Sequence, residues 1–300
     1  MRLFLLPIST RRTLIYCERI AQDPNAPRTI ADRATSKVNE TWISWERKEK
    51  GWQKTLTNWG NKVLRQIPFE EWGLKTIPSL TDKRKEMWLS GKSKMEVLYP
   101  GLYLESSKVP TILKALATER QALHRRKLYW SLIGLPITAP FALVPVIPNI
   151  PFFYLAFRAY SHWKALAGSK HLQFLIENKA LRHSPSPALD QAYTAGLMYR
   201  TREISRNSPA PTREEAQRVA KLVQEQTNGG SEDVMLLQGW NGKLLAERFK
   251  LPEMEVEIER AVEQVEKSIK AKEELMEEKR EIERAAEKAK REAKGTIKAK

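Results

Sequence analysis

The sequence predicts a mainly α fold in which amphipathic helices surround a proline-rich membrane helical hairpin, followed by a long charged C-terminal helix. Three observations lead to this prediction. Residues 128–157 form a run of thirty residues without a charged side chain, and five prolines interrupt it. Amphipathic helical patterns lie on both sides of this run. From residue 251 onward, Glu, Lys and Ala dominate, and few residues break a helix.

The prolines exclude one straight helix across residues 128–157, because proline lacks an amide hydrogen and clashes with the carbonyl four residues earlier. At about 1.5 Å per residue, neither limb of a hairpin comfortably spans a hydrocarbon core of about 30 Å. A buried hairpin in a soluble helical protein is the alternative. The residues predicted to shape the membrane hairpin are Pro136, Pro140, Pro145, Pro148, Asn149 and Pro151.

Basic residues flank the hairpin on both sides, and no Asp or Glu occurs in residues 120–176. Two basic flanks favour a hairpin whose two ends lie on one face of a membrane, beside anionic headgroups. The formal charge of +16 also points to an anionic partner, which could be lipid, nucleic acid or an acidic protein. The residues predicted to contact anionic lipid are Arg125, Arg126, Lys127, Arg158 and Lys164.

The N-terminal segment allows two interpretations. Its two apolar runs, residues 3–8 and 13–17, could pair as a short β-hairpin, and its three arginines before the first acid, Glu18, weakly resemble a mitochondrial targeting segment. We divide the chain into an N-terminal strand or targeting segment (1–30), a Trp-rich amphipathic helical region (31–127), the hairpin (128–163), a helical region with Pro/Ser linkers (164–250) and a charged helix (251–300).

Tryptophans seven residues apart predict one face of a long helix over residues 30–67. Trp45, Trp52 and Trp59 have this spacing, and Lys and Arg lie opposite them. Such a face is typical of a packed core, which we favour, and also of a helix lying in a membrane interface.

The charged C-terminal segment contains apolar residues in a 4-3-4 spacing: Ile258, Val262, Val265 and Ile269. This spacing is compatible with a short coiled coil and self-association. A solvated single helix held by Glu/Lys pairs is the alternative, above all beyond residue 272.

No catalytic or cofactor-binding pattern is present, and we expect a protein that is not an enzyme and binds no cofactor. The four histidines, His124, His162, His171 and His183, lack metal-ligand spacing. The run of residues 90–93, SGKS, resembles the end of a phosphate-binding loop, but Glu86 stands where that motif needs a glycine. The single cysteine, Cys17, suits a reducing compartment.

Four segments together resemble the fungal mitochondrial K+/H+ exchange-related proteins: the opening MRLFLLPISTRRTLIYC, the tryptophan helix, the core LPITAPFALVPVIPNIPFFYLAFRAYSHWKALAGSKHL and the later LLAERFKLPEMEVEIERAVEQV. The resemblance covers most of residues 1–266, and the proline-spaced core is its most specific part. It implies a mitochondrial inner-membrane protein needed for potassium/proton exchange and matrix volume homeostasis, with other subunits of that system as partners.

A potassium/proton carrier normally needs an ionisable group at membrane depth and a cavity between several helices. The hairpin has neither, so we expect an accessory or regulatory subunit rather than a stand-alone carrier. The alternative is a membrane-shaping or tethering protein that binds anionic lipids through the basic flanks. Nucleic-acid binding by the basic body is not expected.

Overall fold

A small mixed β-sheet lies at the centre of the fold. The structure, a computed structural model, describes residues 1–18, 40, 44–91, 93–140 and 149–298. The strands of the sheet are β1 Arg2–Pro7, β2 Thr13–Cys17, β3 Met95–Tyr99 and β4 Leu181–Pro185. They lie in the order β2-β1-β3-β4, with β2 antiparallel to β1 and the other neighbours parallel.

Both faces of the sheet are buried along β1, β2 and β3, whereas β4 is partly exposed. Along β1, Leu3 and Leu5 pack into one core cluster and Phe4 and Leu6 into another, and all four side chains are inaccessible to solvent. A strand that is apolar on both faces is typical of a sheet covered by helices on each side. The fold therefore has three layers, with the sheet in the middle.

Helices form the two outer layers. The helices in the described residues are α1 Trp52–Arg65, α2 Phe69–Thr76, α3 Asp82–Leu89, α4 Val109–Thr118, α5 Gln121–Thr138, α6 Ile150–Glu177, α7 Pro187–Met198, α8 Arg202–Asn207, α9 Arg213–Gln226, α10 Asn241–Phe249 and α11 Pro252–Lys298. The first layer contains α2, α4 and α6, and the second contains α7, α10 and α11.

Helices α5 and α6 form an antiparallel pair inside the crossover that joins β3 to β4. At the end of the pair near the sheet, Gln121 Nε2 donates to Gln173 Oε1 at 2.7 Å. At the far end, Asn149 Nδ2 donates to the carbonyl of Thr138 at 2.7 Å. The second half of α6 packs on the sheet, whereas the far ends of both helices project from it.

The predicted mostly helical content is confirmed, and the β-hairpin interpretation of the N-terminal segment is confirmed by β1 and β2. Strands β3 and β4 lie within residues 31–127 and 164–250, where the sequence predicted helices and linkers. Five-residue strands that lack a clear apolar/polar alternation give little periodic signal. These two short strands were therefore missed.

The predicted long helix over residues 30–67 is interrupted. Residues 47–51 are not helical, Gly51 has φ 114°, and α1 begins at Trp52. A positive φ of this size favours glycine, which has no Cβ to clash. Residues 19–39 and 41–43, with the remainder of the predicted helix, lie outside the described residues.

The predicted charged tail is one long helix, α11. Ile258, Val262 and Val265 are buried in the second core cluster, so this apolar face packs against the rest of its own chain. The 4-3-4 spacing thus has an explanation within one chain. Beyond residue 270, the described side chains of α11 are exposed, and a coiled coil there remains a prediction.

Two glycines allow α2 to lie very close to its neighbours. A Cβ at Gly73 would lie 2.4 Å from the carbonyl oxygen of Ile15 in β2, and one at Gly168 of α6 would lie 2.1 Å from the carbonyl oxygen of Leu74. These separations are far below contact distance, and the atoms met are backbone atoms. Helix α2 is therefore held tightly between the sheet and α6.

We expect Gly168→Ala to lower the free energy of unfolding by about 1–3 kcal/mol, because the added methyl forces the backbones of α2 and α6 apart. Urea unfolding of the purified chain measures this change. Gly239→Ala is the matched control, since a Cβ there meets no atom within 4 Å. Equal stabilities of the two variants would contradict the close approach.

Candidate functional site

The projecting parts of α5 and α6 expose apolar side chains. Trp130, Ile137 and Phe153 are 67%, 68% and 64% exposed. Of the nineteen large hydrophobic side chains exposed among the described residues, nine lie on this pair. A concentration of this kind marks contact with a membrane or a protein partner. We call these nine residues the apolar surface: Tyr129, Trp130, Leu132, Ile133, Ile137, Phe153, Tyr154, Tyr160 and Trp163.

The projecting part is short compared with a bilayer. Residues 128–138 of α5 extend about 16 Å at 1.5 Å per residue, which is near half of a hydrocarbon core of about 30 Å. In the part of the chain that the structure describes, no helix has both the length and the apolar character needed to cross a membrane.

The residues predicted to shape the hairpin occupy different positions around its end. Asn149 caps α6, because its Oδ1 accepts a hydrogen bond from a backbone amide in the first turn at 3.1 Å. Pro151 lies in that first turn, where a missing amide hydrogen costs nothing. Pro136 lies inside α5, and Pro140 follows its end. The predicted bend at Pro145 and Pro148 lies outside the described residues.

The residues predicted to contact lipid fall into two groups. Arg125, Arg126 and Lys127 are exposed at the base of the projecting part, and Lys164 is half-buried on α6. Arg158 is different, because its side chain is 11% exposed and points to Glu71. This inward orientation leaves Arg158 unavailable to a lipid headgroup.

A buried ion pair joins α2 to α6 beneath the apolar surface. Arg158 Nη1 donates to Glu71 Oε1 at 2.9 Å, and Nη2 donates to Oε2 at 3.2 Å. Ser161 Oγ donates to Glu71 Oε1 at 2.6 Å. The Glu71 side chain is 3% exposed, so the carboxylate depends on these donors in place of water.

Two buried histidines extend this ion pair. Arg158 Nη2 lies 2.9 Å from His162 Nε2, and the Nδ1 atoms of His162 and His124 are 3.1 Å apart. Arginine only donates hydrogen bonds, so His162 Nε2 accepts, and a neutral His162 carries its proton on Nδ1. That proton is donated to His124 Nδ1, which places the proton of His124 on Nε2. His124 Nε2 is buried, and no described residue gives it a hydrogen-bond partner.

The pKa values follow from this environment. Burial alone would raise the pKa of Glu71, but the hydrogen bond from Ser161 and the charge and hydrogen bonds of Arg158 outweigh it and hold the pKa below its ordinary value. Burial lowers the pKa of His162 to about 4, with Glu71 opposing and Arg158 adding to the shift. Burial also lowers the pKa of His124. Near neutral pH the cluster therefore contains one negative charge, one positive charge and two neutral imidazoles.

Glu71, His124 and His162 lie close enough to suggest a metal site, since one ligand atom from each falls within 4.8 Å of the others. The hydrogen bonds argue against it. A metal between the two Nδ1 atoms would require both to be unprotonated, which would place a proton on His162 Nε2 facing the guanidinium of Arg158. The charge of Arg158 would also repel the cation. The donor set therefore fits an ion pair better than a metal.

Sequence patterns do not indicate that these residues meet. Glu71, His124 and His162 come from three helices and are far apart in the chain. The one local signal is that Arg158 and His162 are four residues apart, on the same face of a helix. The other two histidines lie outside this cluster. His171 accepts from Trp88 and donates to the carbonyl of Pro78, and His183 is exposed on β4.

An open pocket of about 700 Å³ lies beside the start of α5. Its lining contains five basic and two acidic side chains, and each acid is already paired, Glu70 with Arg120 and Glu263 with Lys267. The pocket therefore has an excess of positive charge, and Arg120, which immediately precedes α5, is one of its lining residues.

Comparison with known proteins identifies the family. The family described as "Mitochondrial K+-H+ exchange-related" matches residues 2–176. The chain belongs to this family. It is 30% identical to an uncharacterized protein of Schizosaccharomyces pombe over 64% of this chain and 82% of that protein. It is 28% identical to an uncharacterized protein of Saccharomyces cerevisiae over 59% of this chain and 63% of that protein. No solved structure matches the chain.

The family match covers the parts of the structure described above, because residues 2–176 include β1, the buried ion pair, both histidines and the apolar surface. The predicted family is thereby confirmed. A mitochondrial association and a relation to potassium/proton exchange follow from the description of the family.

We expect Glu71→Gln to lower the free energy of unfolding by about 3 kcal/mol or more, because it leaves the buried guanidinium of Arg158 without a counter-charge. Glu70→Gln is the matched control, since its partner Arg120 has a side chain 37% exposed, and the loss there is about 1 kcal/mol or less. Urea unfolding at neutral pH compares the two. Equal losses of unfolding free energy in the two variants would show that burial does not make the Glu71–Arg158 ion pair more important for stability than the exposed one.

Proposed function

We propose that this protein is a mitochondrial inner-membrane protein that takes part in potassium/proton exchange as an accessory or regulatory subunit. The observation that carries the proposal is the apolar surface with exposed Arg125, Arg126 and Lys127 at its base. Family membership supplies the relation to potassium/proton exchange. The partners are anionic lipids and the other subunits of the exchange system.

The proposed binding mode is insertion of the α5/α6 pair into one leaflet. Its reach of about 16 Å is near the thickness of one hydrocarbon leaflet, about 15 Å. Aromatic side chains such as Tyr129, Trp130 and Trp163 suit the boundary between headgroups and acyl chains. Basic side chains at the base suit the anionic headgroups, each contributing about 1 kcal/mol near such a surface.

The accessory role is supported by how the polar groups of the projecting pair are used. Ser131 Oγ donates to the carbonyl of Lys127, Thr138 Oγ1 donates to carbonyls within α5, and Asn149 joins the two helices. The described part of the pair that would enter the membrane has no Asp, Glu, His, Lys or Arg side chain. The described part of one pair therefore offers a potassium path no carboxylate, and in this proposal the exchange pathway runs through another subunit.

A membrane-shaping or tethering role is the second candidate. A short apolar wedge in one leaflet expands that leaflet, and the exposed part of α11 beyond residue 270 offers a surface for a partner. The two functions differ in what changes first when the protein is lost. An accessory subunit alters ion flux, and a tether alters membrane shape.

For insertion, we expect Trp130→Gln combined with Ile137→Gln to weaken binding to phosphatidylcholine vesicles containing cardiolipin by more than about tenfold, because about 2–4 kcal/mol of apolar burial is lost. Vesicle flotation measures binding. Leu222→Gln is the control, since Leu222 is 54% exposed on α9, away from the pair. If the double variant floats as well as the control, the apolar surface does not enter the bilayer.

For the exchange role, de-energised mitochondria lacking the protein should swell slowly in isotonic potassium acetate, and nigericin should restore the rate. This result follows if the protein supports potassium entry in exchange for protons. Re-expression of the chain should restore swelling, and re-expression of the Trp130/Ile137 variant should not. Normal swelling without the protein would reject the exchange role and favour the tether.

A further inference from the structure

We infer that His124 and His162 form a proton-binding site at the base of the α5/α6 pair, where binding of one proton breaks one of the two hydrogen bonds that join Arg158, His162 and His124. The inference does not depend on the proposed exchange role, because it rests on hydrogen bonds inside the chain. Its ligand is a proton taken up from solvent.

Neither histidine can bind a proton while both hydrogen bonds that join Arg158, His162 and His124 are kept. An imidazolium carries a proton on both ring nitrogens and cannot accept a hydrogen bond. A protonated His162 therefore cannot accept from Arg158, now 2.9 Å away, and a protonated His124 cannot accept from His162, now 3.1 Å away. Wherever the proton binds, one link of the chain must open.

The incoming proton has one acidic neighbour within reach. His162 Nδ1 lies 3.6 Å from Glu71 Oε2, so a protonated His162 can donate to the carboxylate that Arg158 now holds. Uptake adds one proton and releases none, and the cluster changes from neutral to a charge of plus one. Glu71 then has two cations competing for its oxygens. Both cations lie on α6, so Glu71 still joins α2 to α6, while the hydrogen bond between Arg158 and His162 is lost.

The other charged groups around His124 and His162 make the first proton hard to bind and a second proton harder. Lys75 faces Glu71 and Arg158 from α2, and Arg120 and Lys127 face the histidines from α5. Together with Arg158 these cations oppose an added positive charge, while Glu71 favours it. The site is therefore empty near neutral pH and fills one proton at a time as the pH falls.

The sign of the pH effect follows from the direction of the shifts. Burial lowers the pKa of both histidines in the folded chain, so the unfolded chain binds protons first. The stability contributed by neutral His124 and His162 is fully present above the ordinary histidine pKa of about 6.5. It is lost as the pH falls from there toward about 4 for His162.

Nitrogen-15 NMR of the histidine side chains in the purified full-length chain tests the site directly. At neutral pH we expect the proton of His162 on Nδ1 and that of His124 on Nε2. On acidification, the midpoint of His162 should lie near pH 4, below that of exposed His183. The opposite tautomer of His162, or a midpoint at the ordinary histidine value, would overturn the inference.

Hydrogen exchange tests the coupling to the helices. On lowering the pH from about 7.5 to about 4.5, amides at the start of α5 and the middle of α6 should exchange on the order of tenfold faster after correction for intrinsic rates. His162→Gln should abolish the acceleration, because its amide oxygen accepts from Arg158 at both pH values. His183→Gln should keep it. An acceleration that persists in His162→Gln would refute the coupling.

Metal analysis of the purified full-length chain distinguishes a proton-binding site from a metal site. Zinc added to the chain should not bind stoichiometrically at neutral pH, because binding needs the Nδ1 proton removed and Arg158 displaced. Stoichiometric zinc that is lost in His162→Gln would make the pair a metal centre and overturn the proton site.

Discussion

The burial of one carboxylate controls how this fold is assembled. Glu71 lies on α2, which glycine contacts hold against β2 on one side and α6 on the other. A charge in that position is tolerated only when it is paired and hydrogen-bonded. Arg158 and Ser161 meet this requirement from α6, and the projecting helix pair is thereby fixed in position relative to the sheet.

The same arrangement separates an apolar region from a polar one within a single helix. The first half of α6 carries Phe153 and Tyr154 into solvent, and the second half packs Ala165, Leu172 and Leu175 against the sheet. Arg158 and His162 lie between the two halves. The polar cluster therefore marks the level at which the helix pair leaves the protein core, and it lies directly below the surface that we propose enters lipid.

The sequence predicted the parts of the fold that have a strong local signal. The apolar run of residues 128–157 predicted helical segments on each side of a proline-rich bend, which itself stays a prediction, and the run after residue 251 predicted α11. Strands β3 and β4 were missed because five residues give little periodic signal and each is defined by its pairing with a distant strand. The cluster was missed for the same reason, since Glu71, His124 and His162 meet only after three helices pack.

The crossovers of the sheet also constrain the order in which the chain can fold. Leu3 of β1 pairs with Val97 of β3, and Val97 in turn pairs with His183 of β4, so two of the three strand contacts join residues far apart in sequence. Contacts of this kind form slowly, whereas helices form from local contacts. During synthesis, α5 and α6 leave the ribosome before β4, which follows them in the chain. The apolar helix pair is therefore exposed to a membrane or to a chaperone before the sheet that anchors it is complete.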